Sequence, residues 1–343
     1  MPSIYLIRHG KPDFPGGARM CLGRTDLPLG ALGRLQAAML GFELRGAAEA
    51  VYSSPLSRAV QTAAPLGSEP EVLDGLTEQY AGEWDGLTFD EIRARWPELY
   101  ARRGIEKYLP MPGAEPDESA LARFSAAVAT ALAASGGSAA VVAHSGVIRL
   151  YLNSLGAGMI KLPYGSYVRL EFEGGRLAVS GEIGVLPHPE LTDGRCIALL
   201  EAARLPENTV RHCAAVAEKA TELADRLGLD AALARRAALL HDIARPEPKH
   251  PETGAGWLRE LGYPEIADIV RLHHDHTGDT LDEAAVVFIA DKLVQGDRGV
   301  TLDERFAASA QKCKTPEQLA HHQARRLASE KIVKLIEERG VEI

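Results

Sequence analysis

The chain has 343 residues, of which 46% are hydrophobic and 25% are charged, and its formal net charge is −9. This length predicts two domains rather than one core, and the composition is that of a soluble globular protein. The acidic balance argues against a nucleic-acid partner, and no apolar run approaches the roughly 20 residues that a membrane span needs.

The four cysteines, at positions 21, 196, 213 and 313, are far apart and form no paired motif. This usage is typical of reduced thiols and argues against a cysteine zinc site. The N-terminus lacks a basic segment followed by an apolar core, so we expect no signal peptide. The sequence therefore predicts a cytoplasmic protein and leaves the oligomeric state open.

The first predicted element is a strand that ends in Arg8, His9 and Gly10. Residues 4–7 form a short apolar run of the kind that is buried on both faces of a sheet. In open α/β sheets, ligands bind beyond the carboxyl ends of the strands. Arg8 and His9 therefore offer a cation and a ring nitrogen to an anion, although many strands end in polar residues without such a role.

Two later stretches repeat this arrangement. A loop and a helix over 33–44 lead to a short strand and then to residues 53–63, where the serines are expected N-caps of a helix. Arg58 lies in the opening turns of that helix, where the helix dipole disfavours a positive charge, and this indicates an anionic ligand. A third apolar strand ends at His144 and passes through Ser-Gly into another helix.

These motifs resemble those of the histidine phosphatase superfamily (phosphoglycerate mutase-like), most closely its small-molecule phosphatase branch. They are Arg-His-Gly at 8–10, Ser-Ser-Pro-Leu-x-Arg-Ala-x-Gln-Thr-Ala at 53–63 and His-Ser-Gly at 144–146. The resemblance covers roughly residues 1–188. It implies an α/β three-layer sandwich with a mostly parallel sheet.

The stretch 78–88 resembles the segment that carries the family's proton donor, with Glu78 in that place and Glu83 as a rival. Lys11 and residues 114–116 (Ala-Glu-Pro) depart from the usual pattern, which affects the expected substrate more than the chemistry. Arg24, in the loop after the first strand, is a further expected substrate-binding residue.

The resemblance implies phosphomonoester hydrolysis without a metal. Neutral His9 would attack phosphorus and carry the phosphoryl group, and Glu78 would protonate the leaving alkoxide if burial raises its pKa. The transferring phosphoryl charge would be bound and stabilised by fixed donors, namely Arg8, Arg58 and His144.

Between the two halves, residues 166–183 alternate as two strands around a hairpin signal at 174–175. Prolines and a glycine follow, and the composition then becomes alanine-rich, leucine-rich and charged, with helical spacing. We therefore predict a first domain over 1–188, a linker over 189–200 and an all-α domain over 201–343, with Asn208, Asp230 and Asp282 as helix N-caps.

Histidines and aspartates are spread over successive helix ends of this second half, and imidazole plus carboxylate without thiolate suits iron, manganese, zinc or nickel. Their order resembles the HD superfamily of metal-dependent phosphohydrolases over roughly residues 200–300. The resemblance implies a first metal held by His212, His241, Asp242 and Asp291. A second ion would be held by His250 with His273 or His274, and Asp242 would bridge the two. His276 reads as an exposed loop residue, and His321 and His322 read as solvated.

We therefore predict a bifunctional phosphohydrolase that acts on a small phosphorylated metabolite and, at a metal centre, on a nucleotide-like phosphoester. Nucleic acid and membrane are not expected partners. Two rivals stay open. The first half can instead be a phosphomutase, and the HD half can be a metal- or nucleotide-sensing module without turnover.

Overall fold

The computed structural model describes residues 3–67, 69–106, 109–158, 160–173, 176–277 and 279–343. The chain divides into two compact units, Met1–Pro189 and Glu190–Ile343. The expected hairpin glycines at 174–175 lie outside the described residues.

The first unit alternates strands and helices along the chain. Its elements are β1 Ser3–Arg8, α1 Ala31–Leu44, β2 Ala50–Ser53, α2 Ser57–Ala63, β3 Glu71–Val72, α3 Phe89–Arg95, α4 Pro97–Ile105, α5 Asp117–Ala134, β4 Ser138–Ala143, α6 Ser145–Ser154, β5 Tyr167–Glu173 and β6 Arg176–Val185.

The strands of this unit form one sheet in the order β3-β2-β4-β1-β5-β6. β1, β2, β3 and β4 run parallel to one another, whereas β5 is antiparallel to both β1 and β6. The parallel strands β1 and β4 carry continuous apolar runs because both of their faces are covered.

Side chains on β1 alternate between two apolar cores, as the period of a strand requires. Ile4 and Leu6 pack with Phe124 of α5, whereas Ile7 packs with Leu40 of α1. The sheet is therefore sandwiched between helical layers, and the predicted α/β three-layer architecture is confirmed.

The second unit is helical. Its elements are α7 Asp193–Ala202, α8 Glu207–Leu227, α9 Ala231–Leu240, α10 His250–Glu260, α11 Pro264–Leu272, α12 Glu283–Lys292, β7 Val294–Gln295, β8 Arg298–Gly299, α13 Leu302–Ala310 and α14 Pro316–Glu337. The predicted caps Asp230 and Asp282 accept hydrogen bonds from backbone N–H groups of Leu233 (2.8 Å) and Ala285 (2.9 Å).

Some local predictions differ from the structure. Asn208 lies inside α8 rather than at its cap. A short β7–β8 hairpin interrupts the helices. The predicted linker 189–200 is largely helical, since α7 begins at Asp193 and buries Cys196, Leu199 and Leu200. None of the helices in the described ranges combines the length and the apolar composition that a membrane span requires.

Candidate active sites

The sheet register brings the first set of predicted residues together. Arg8 pairs with Ala143, and Ser53 pairs with Val142, so β1, β2 and β4 end at the same edge. The residues that follow these strands therefore meet beyond their carboxyl ends. The rings of His9 and His144 lie 5.0 Å apart between centroids, close enough to contact one phosphate.

His9 is buried and held in one orientation. Its Nδ1–H donates to the carbonyl oxygen of Gly10 at 2.7 Å, so the lone pair of a neutral ring sits on Nε2. Burial, followed by the charges of Arg58 and Arg8, lowers the pKa of His9 well below its usual value. The ring is therefore neutral at physiological pH, which is the state that a nucleophile requires.

His144 forms a hydrogen bond with Ser54, one of the serines that were expected to cap α2. That helix has Leu56 as its N-cap and no side-chain cap, so the expected serine caps are wrong. Ser54 Oγ instead accepts the N–H of Leu56 at 3.3 Å and lies 2.8 Å from His144 Nε2. If the Ser54 hydroxyl donates to Nε2, the proton of a neutral His144 sits on Nδ1.

Two arginines, the fully buried Arg58 and the half-buried Arg8, supply positive charge at this edge of the sheet. Arg58 is fully buried in the first turn of α2 and donates to the carbonyl oxygens of Thr25 (2.8 Å) and Gly23 (2.9 Å). Arg8 donates to the carbonyl oxygen of Leu162, and its guanidinium lies 3.7 Å from the ring centroid of Tyr164. These contacts hold both cations in place before any ligand arrives.

Three donors at this edge are buried without a hydrogen-bond partner in the described part of the chain: Arg8 Nε, Arg58 Nε and His144 Nδ1. Buried polar atoms are nearly always satisfied in native proteins. An anion that accepts several hydrogen bonds would satisfy this set, and a phosphate has the required oxygens.

Glu78 is buried, and its carboxylate lies against the first turn of α6, whereas the rival Glu83 is exposed. The carboxylate of Glu78 accepts backbone N–H groups of Gly146 (2.9 Å), Val147 (3.0 Å) and Gln79 (2.9 Å). These bonds place the carboxyl group one turn from His144. Of the two candidate proton donors, only Glu78 is held next to the histidines.

Arg123 is a residue of this site that sequence reasoning missed. Its guanidinium donates to the carbonyl oxygens of Gly75, Thr77 and Glu78 and forms a 2.8 Å ion pair with Glu115. Hydrogen bonding to Arg123, opposed by burial, lowers the pKa of Glu115. No motif marks Arg123, because its partners are backbone atoms of a distant loop.

The predicted substrate-binding residue Arg24 has a different contact. Its side chain is half exposed, and Nη2 lies 3.4 Å from Glu115 Oε2. The residues on either side of it, Gly23 and Thr25, accept hydrogen bonds from Arg58 through their backbone carbonyl oxygens. The structure thus places Arg8, His9, Arg58, Glu78 and His144 together, with the side chain of Arg24 at Glu115.

The two buried histidines predict a pH-dependent stability of the first unit. Burial, followed by the charges of Arg58, His9 and Arg8, also lowers the pKa of His144 well below its ordinary value. Below pH 6.5 the unfolded chain binds protons that the folded chain does not, so the free energy of unfolding falls as the pH falls. Each histidine contributes up to about 1.4 kcal/mol per pH unit.

This slope can be measured in a Trp257→Phe background, where Trp84 and Trp96 report unfolding of the first unit alone. Between pH 6 and 5, His144→Gln should reduce the slope by about 1.4 kcal/mol per pH unit. Equal slopes in the two proteins would show that His144 already binds a proton when folded.

A second cluster of side chains lies within the helical unit. His212 comes from α8, His241 and Asp242 follow α9, and His250 begins α10. His273 and His274 follow α11, and Asp291 lies near the end of α12. Neighbouring rings in this cluster lie between 4.2 and 5.4 Å apart between centroids.

The cluster contains three overlapping groups with metal-ligand geometry: His212, His241 and Asp291; His241, Asp242 and His273; and His250, His273 and His274. Asp242 lies between the outer two groups. Its Oδ2 is 3.6 Å from His241 Nε2, whereas its Oδ1 is 3.2 Å from His250 Nε2 and 3.7 Å from His273 Nε2. This position suits a carboxylate that bridges two cations.

The donor set fits a metal. The Nδ1–H groups of His212, His241 and His273 donate to backbone carbonyl oxygens, which turns their Nε2 atoms into the cluster. Four atoms are buried there without a hydrogen-bond partner among the described residues: His241 Nε2, His250 Nε2, His273 Nε2 and Asp242 Oδ1. At His241 and His273, where Nδ1 carries the proton, Nε2 presents a lone pair towards Asp242, and such an arrangement is stable when a cation lies between the two groups.

The protonation states of His273 and Asp291 also suit metal binding. Burial, followed by the charge of His241, lowers the pKa of His273 to about 3. Lys292 and His212 hold the pKa of Asp291 well below its usual range, against the opposing effect of burial. Neutral imidazole and ionised carboxylate are the forms that bind metal.

Two histidines outside the cluster differ from the sequence expectation. His276 is buried rather than exposed, and its Nε2 lies 3.6 Å from Asp282 Oδ1. His322 is half buried, with Nε2 at 2.8 Å from Ser309 Oγ, whereas His321 is exposed. Each buried ring packs against a phenylalanine, Phe288 or Phe306, that a sequence pattern does not pair with it.

Comparison with known families agrees with both clusters. The sequence model described as "Histidine phosphatase superfamily (branch 1)" matches residues 4–181, more than half of the chain. The chain belongs to the histidine phosphatase superfamily. A second model, described as "HD domain", matches residues 209–295, so this histidine phosphatase carries an HD domain after its phosphatase domain.

Two relatives show how fragments of the chain recur. Ribonuclease Y of Thermus thermophilus is 42% identical over 93 residues, which cover 25% of this histidine phosphatase and 16% of the relative. "Bifunctional protein Rv2228c" of Mycobacterium tuberculosis is 36% identical over 126 residues, which cover 35% and 34%. The matched part of the chain therefore spans 16% of the length of the first relative and 34% of the second.

Among solved structures, "Mycobacterial hydrolase 2" is 25% identical, with a TM-score of 0.49 over 59% of this chain and 97% of that one. Mycobacterial glucosyl-3-phosphoglycerate phosphatase Rv2419c is 28% identical, with a TM-score of 0.46 over 52% and 98%.

Proposed function

We propose that the chain is a bifunctional phosphohydrolase, with a phosphohistidine phosphatase in residues 1–188 and a metal-dependent phosphohydrolase in residues 201–343. The observation that carries the first activity is a neutral, oriented His9 beside three unsatisfied buried donors. The substrate of this half is a small phosphomonoester, and the half needs no metal.

In the first step, His9 Nε2 attacks phosphorus, and the bond to the leaving oxygen breaks. Arg8, Arg58 and His144 neutralise the charge on the equatorial oxygens, and Glu78 gives its proton to the leaving alkoxide. Phosphorylation makes the imidazole cationic, and the 2.7 Å bond from Nδ1 to Gly10 stabilises that form. In the second step, Glu78 takes a proton from water, which attacks the phosphohistidine.

Glu78→Gln tests this role. Poor leaving groups such as alkyl alcohols should lose about 10²–10⁴-fold in the rate of phosphoenzyme formation, because they need a proton as they depart. Phosphorylation of the enzyme by p-nitrophenyl phosphate should change little, since its leaving phenolate is stable without one. Stopped-flow release of p-nitrophenolate, compared with quenched release of an alkyl alcohol, measures both rates. An equal loss with the two substrates would contradict the assignment.

Gly146→Ala tests the position of the Glu78 carboxyl group without changing its chemistry. A Cβ at Gly146 would lie 2.5 Å from Glu78 Oε1, so the side chain of Glu78 must move. The rate with an alkyl phosphate should fall by up to about 10²-fold while the melting temperature is retained, since alanine is the better helix former.

Turnover in ¹⁸O-labelled water separates the phosphatase from a mutase. A phosphatase releases phosphate that carries one solvent oxygen, whereas a mutase returns a phosphoester without any. Mass spectrometry of the product measures the ¹⁸O content, and a product without ¹⁸O would reject the proposed phosphatase activity.

In the HD half, we infer that His212, His241, Asp242 and Asp291 hold one divalent metal and that His250, with His273 or His274, holds a second. Iron, manganese, zinc and nickel all suit these ligands. Bound metal would supply the charge that polarises a phosphoryl oxygen and lowers the pKa of water. The chain's own part is to orient the imidazoles through backbone carbonyl oxygens and to keep the cluster buried.

The substrate proposed for this half is a nucleotide-like phosphoester. Because one relative is named Ribonuclease Y, an RNA phosphodiester is the second candidate. Hydrolysis of nucleotides and of a short RNA by the metal-loaded chain, compared side by side, decides between them. Absence of hydrolysis of either class would instead favour a sensing module.

A further inference from the structure

A cavity of about 830 Å³ in the second unit adjoins the metal-ligand cluster, since His274, Asp291 and Lys292 belong to its lining. Its far wall is built by α13, the turn after it and α14. These elements lie beyond residue 295, where the match to the HD domain ends. The wall is therefore a feature of this chain rather than of the matched domain.

The cations of the lining fall into two groups. Arg245 and Lys292 are paired with the cluster itself, because Arg245 contacts Asp242 Oδ2, and Lys292 Nζ lies 2.6 Å from Asp291 Oδ2. Their charge offsets the carboxylates that would hold metal. They leave little excess charge for a ligand.

The second group comes from the far wall: Arg305, Lys312 and Arg325. Half-buried Arg305 has Nη2 3.8 Å from Asp291 Oδ1, at the metal-ligand end. Half-buried Arg325 pairs with Asp275 at 3.0 Å, and Lys312 is exposed. The lining thus contains five Lys or Arg side chains against two Asp, and three of the five come from the far wall.

We propose that this cavity binds a chain of phosphates, so that the HD-half substrate carries at least one phosphate beyond the one that is cleaved. The inference rests on the proposed metal-dependent activity. The phosphate that is cleaved would lie at the metal-ligand cluster. Further phosphates would lie against Arg305, Lys312 and Arg325, and a volume of 830 Å³ is ample for a nucleotide.

The test is binding rather than turnover. Chelator-treated full-length chain in a His9→Ala background is titrated calorimetrically with adenosine mono-, di- and triphosphate and with inorganic tripolyphosphate. The triphosphate should bind at least about tenfold more tightly than the monophosphate, since each added charged hydrogen bond contributes about that factor. Tripolyphosphate should bind within about tenfold of the nucleoside triphosphate. Its failure to bind would overturn recognition through the phosphate chain.

Lys312→Gln and Arg325→Gln should each weaken triphosphate binding by about three- to tenfold and leave the monophosphate within about twofold. Arg326→Gln is the matched control, since the adjacent Arg326 pairs with Asp303 and Glu330 and does not line the cavity. Lys312 is exposed, so its variant leaves the fold intact. Unchanged triphosphate affinity in the double variant would overturn the proposal.

These experiments distinguish failure of the phosphate-binding proposal from failure of the proposed metal-dependent hydrolase activity. Triphosphate affinity that follows Lys312 and Arg325, without metal-dependent hydrolysis of any nucleotide, would support the cavity and reject the catalytic role. Hydrolysis of monophosphates and triphosphates at equal kcat/KM, with equal affinities, would support the catalytic role and reject the phosphate-binding cavity. Oligoribonucleotide binding that follows these residues while triphosphate binding does not would overturn the small-molecule ligand.

Discussion

His9→Ala should lower phosphomonoesterase kcat by about 10⁴-fold or more, because it removes the atom that accepts the phosphoryl group. The neighbouring donors cannot replace it. His144 Nε2 faces Ser54, and its Nδ1 is the expected hydrogen-bond donor to the phosphate. Initial rates with a phosphomonoester, measured on chelator-treated protein, exclude any contribution from the proposed metal site.

The phosphohistidine itself can be detected by chemical analysis of the quenched enzyme. Wild-type protein quenched during turnover should contain an acid-labile, alkali-stable phosphoryl group on the peptide that includes residue 9, and His9→Ala should contain none. His188→Ala, at an exposed histidine of the same unit, serves as the control and should keep both rate and label. An unlabelled wild type with full activity would mean direct attack by water and would remove the phosphohistidine from the mechanism.

Asp242→Asn should abolish the metal-dependent activity of the HD half and release metal. The change keeps the shape of the side chain but removes the charge that lies within 3.7 Å of three imidazoles. Metal content by mass spectrometry should fall, with affinity lowered by at least about 10²-fold, since loss of even an outer partner costs 10–100-fold. Phosphomonoesterase activity should persist.

Thermal unfolding gives a readout that does not depend on turnover. A metal that binds only the folded state raises the melting temperature, so chelator should destabilise the second unit of the wild type and have no effect on Asp242→Asn. Asp268→Asn is the matched control, because Asp268 is an exposed residue of α11 that pairs with Arg259. Full metal retention by Asp242→Asn would show that Asp242 is not a ligand.

Motifs at the ends of predicted elements account for what the sequence predicted well. Arg8, His9 and His144 follow short apolar strands, and parallel strands align their carboxyl ends, so convergence follows from the local pattern. Asp230 and Asp282 precede apolar-periodic helices and cap them as predicted. Ser54 failed as a cap because a tertiary contact with His144 uses its hydroxyl group instead.

Local sequence thus determined the two halves, the order of strands and helices and the residues that meet at the end of each element, because apolar periodicity and capping act within a few positions. Only the tertiary structure decided the long-range contacts. It placed Arg123 on the Glu78 loop, buried Glu78 while leaving Glu83 exposed, buried His276 and set α13 and α14 beside the cluster of histidines and aspartates. These contacts join residues tens of positions apart through backbone atoms and solvent exclusion, which leave no periodic signal in the sequence.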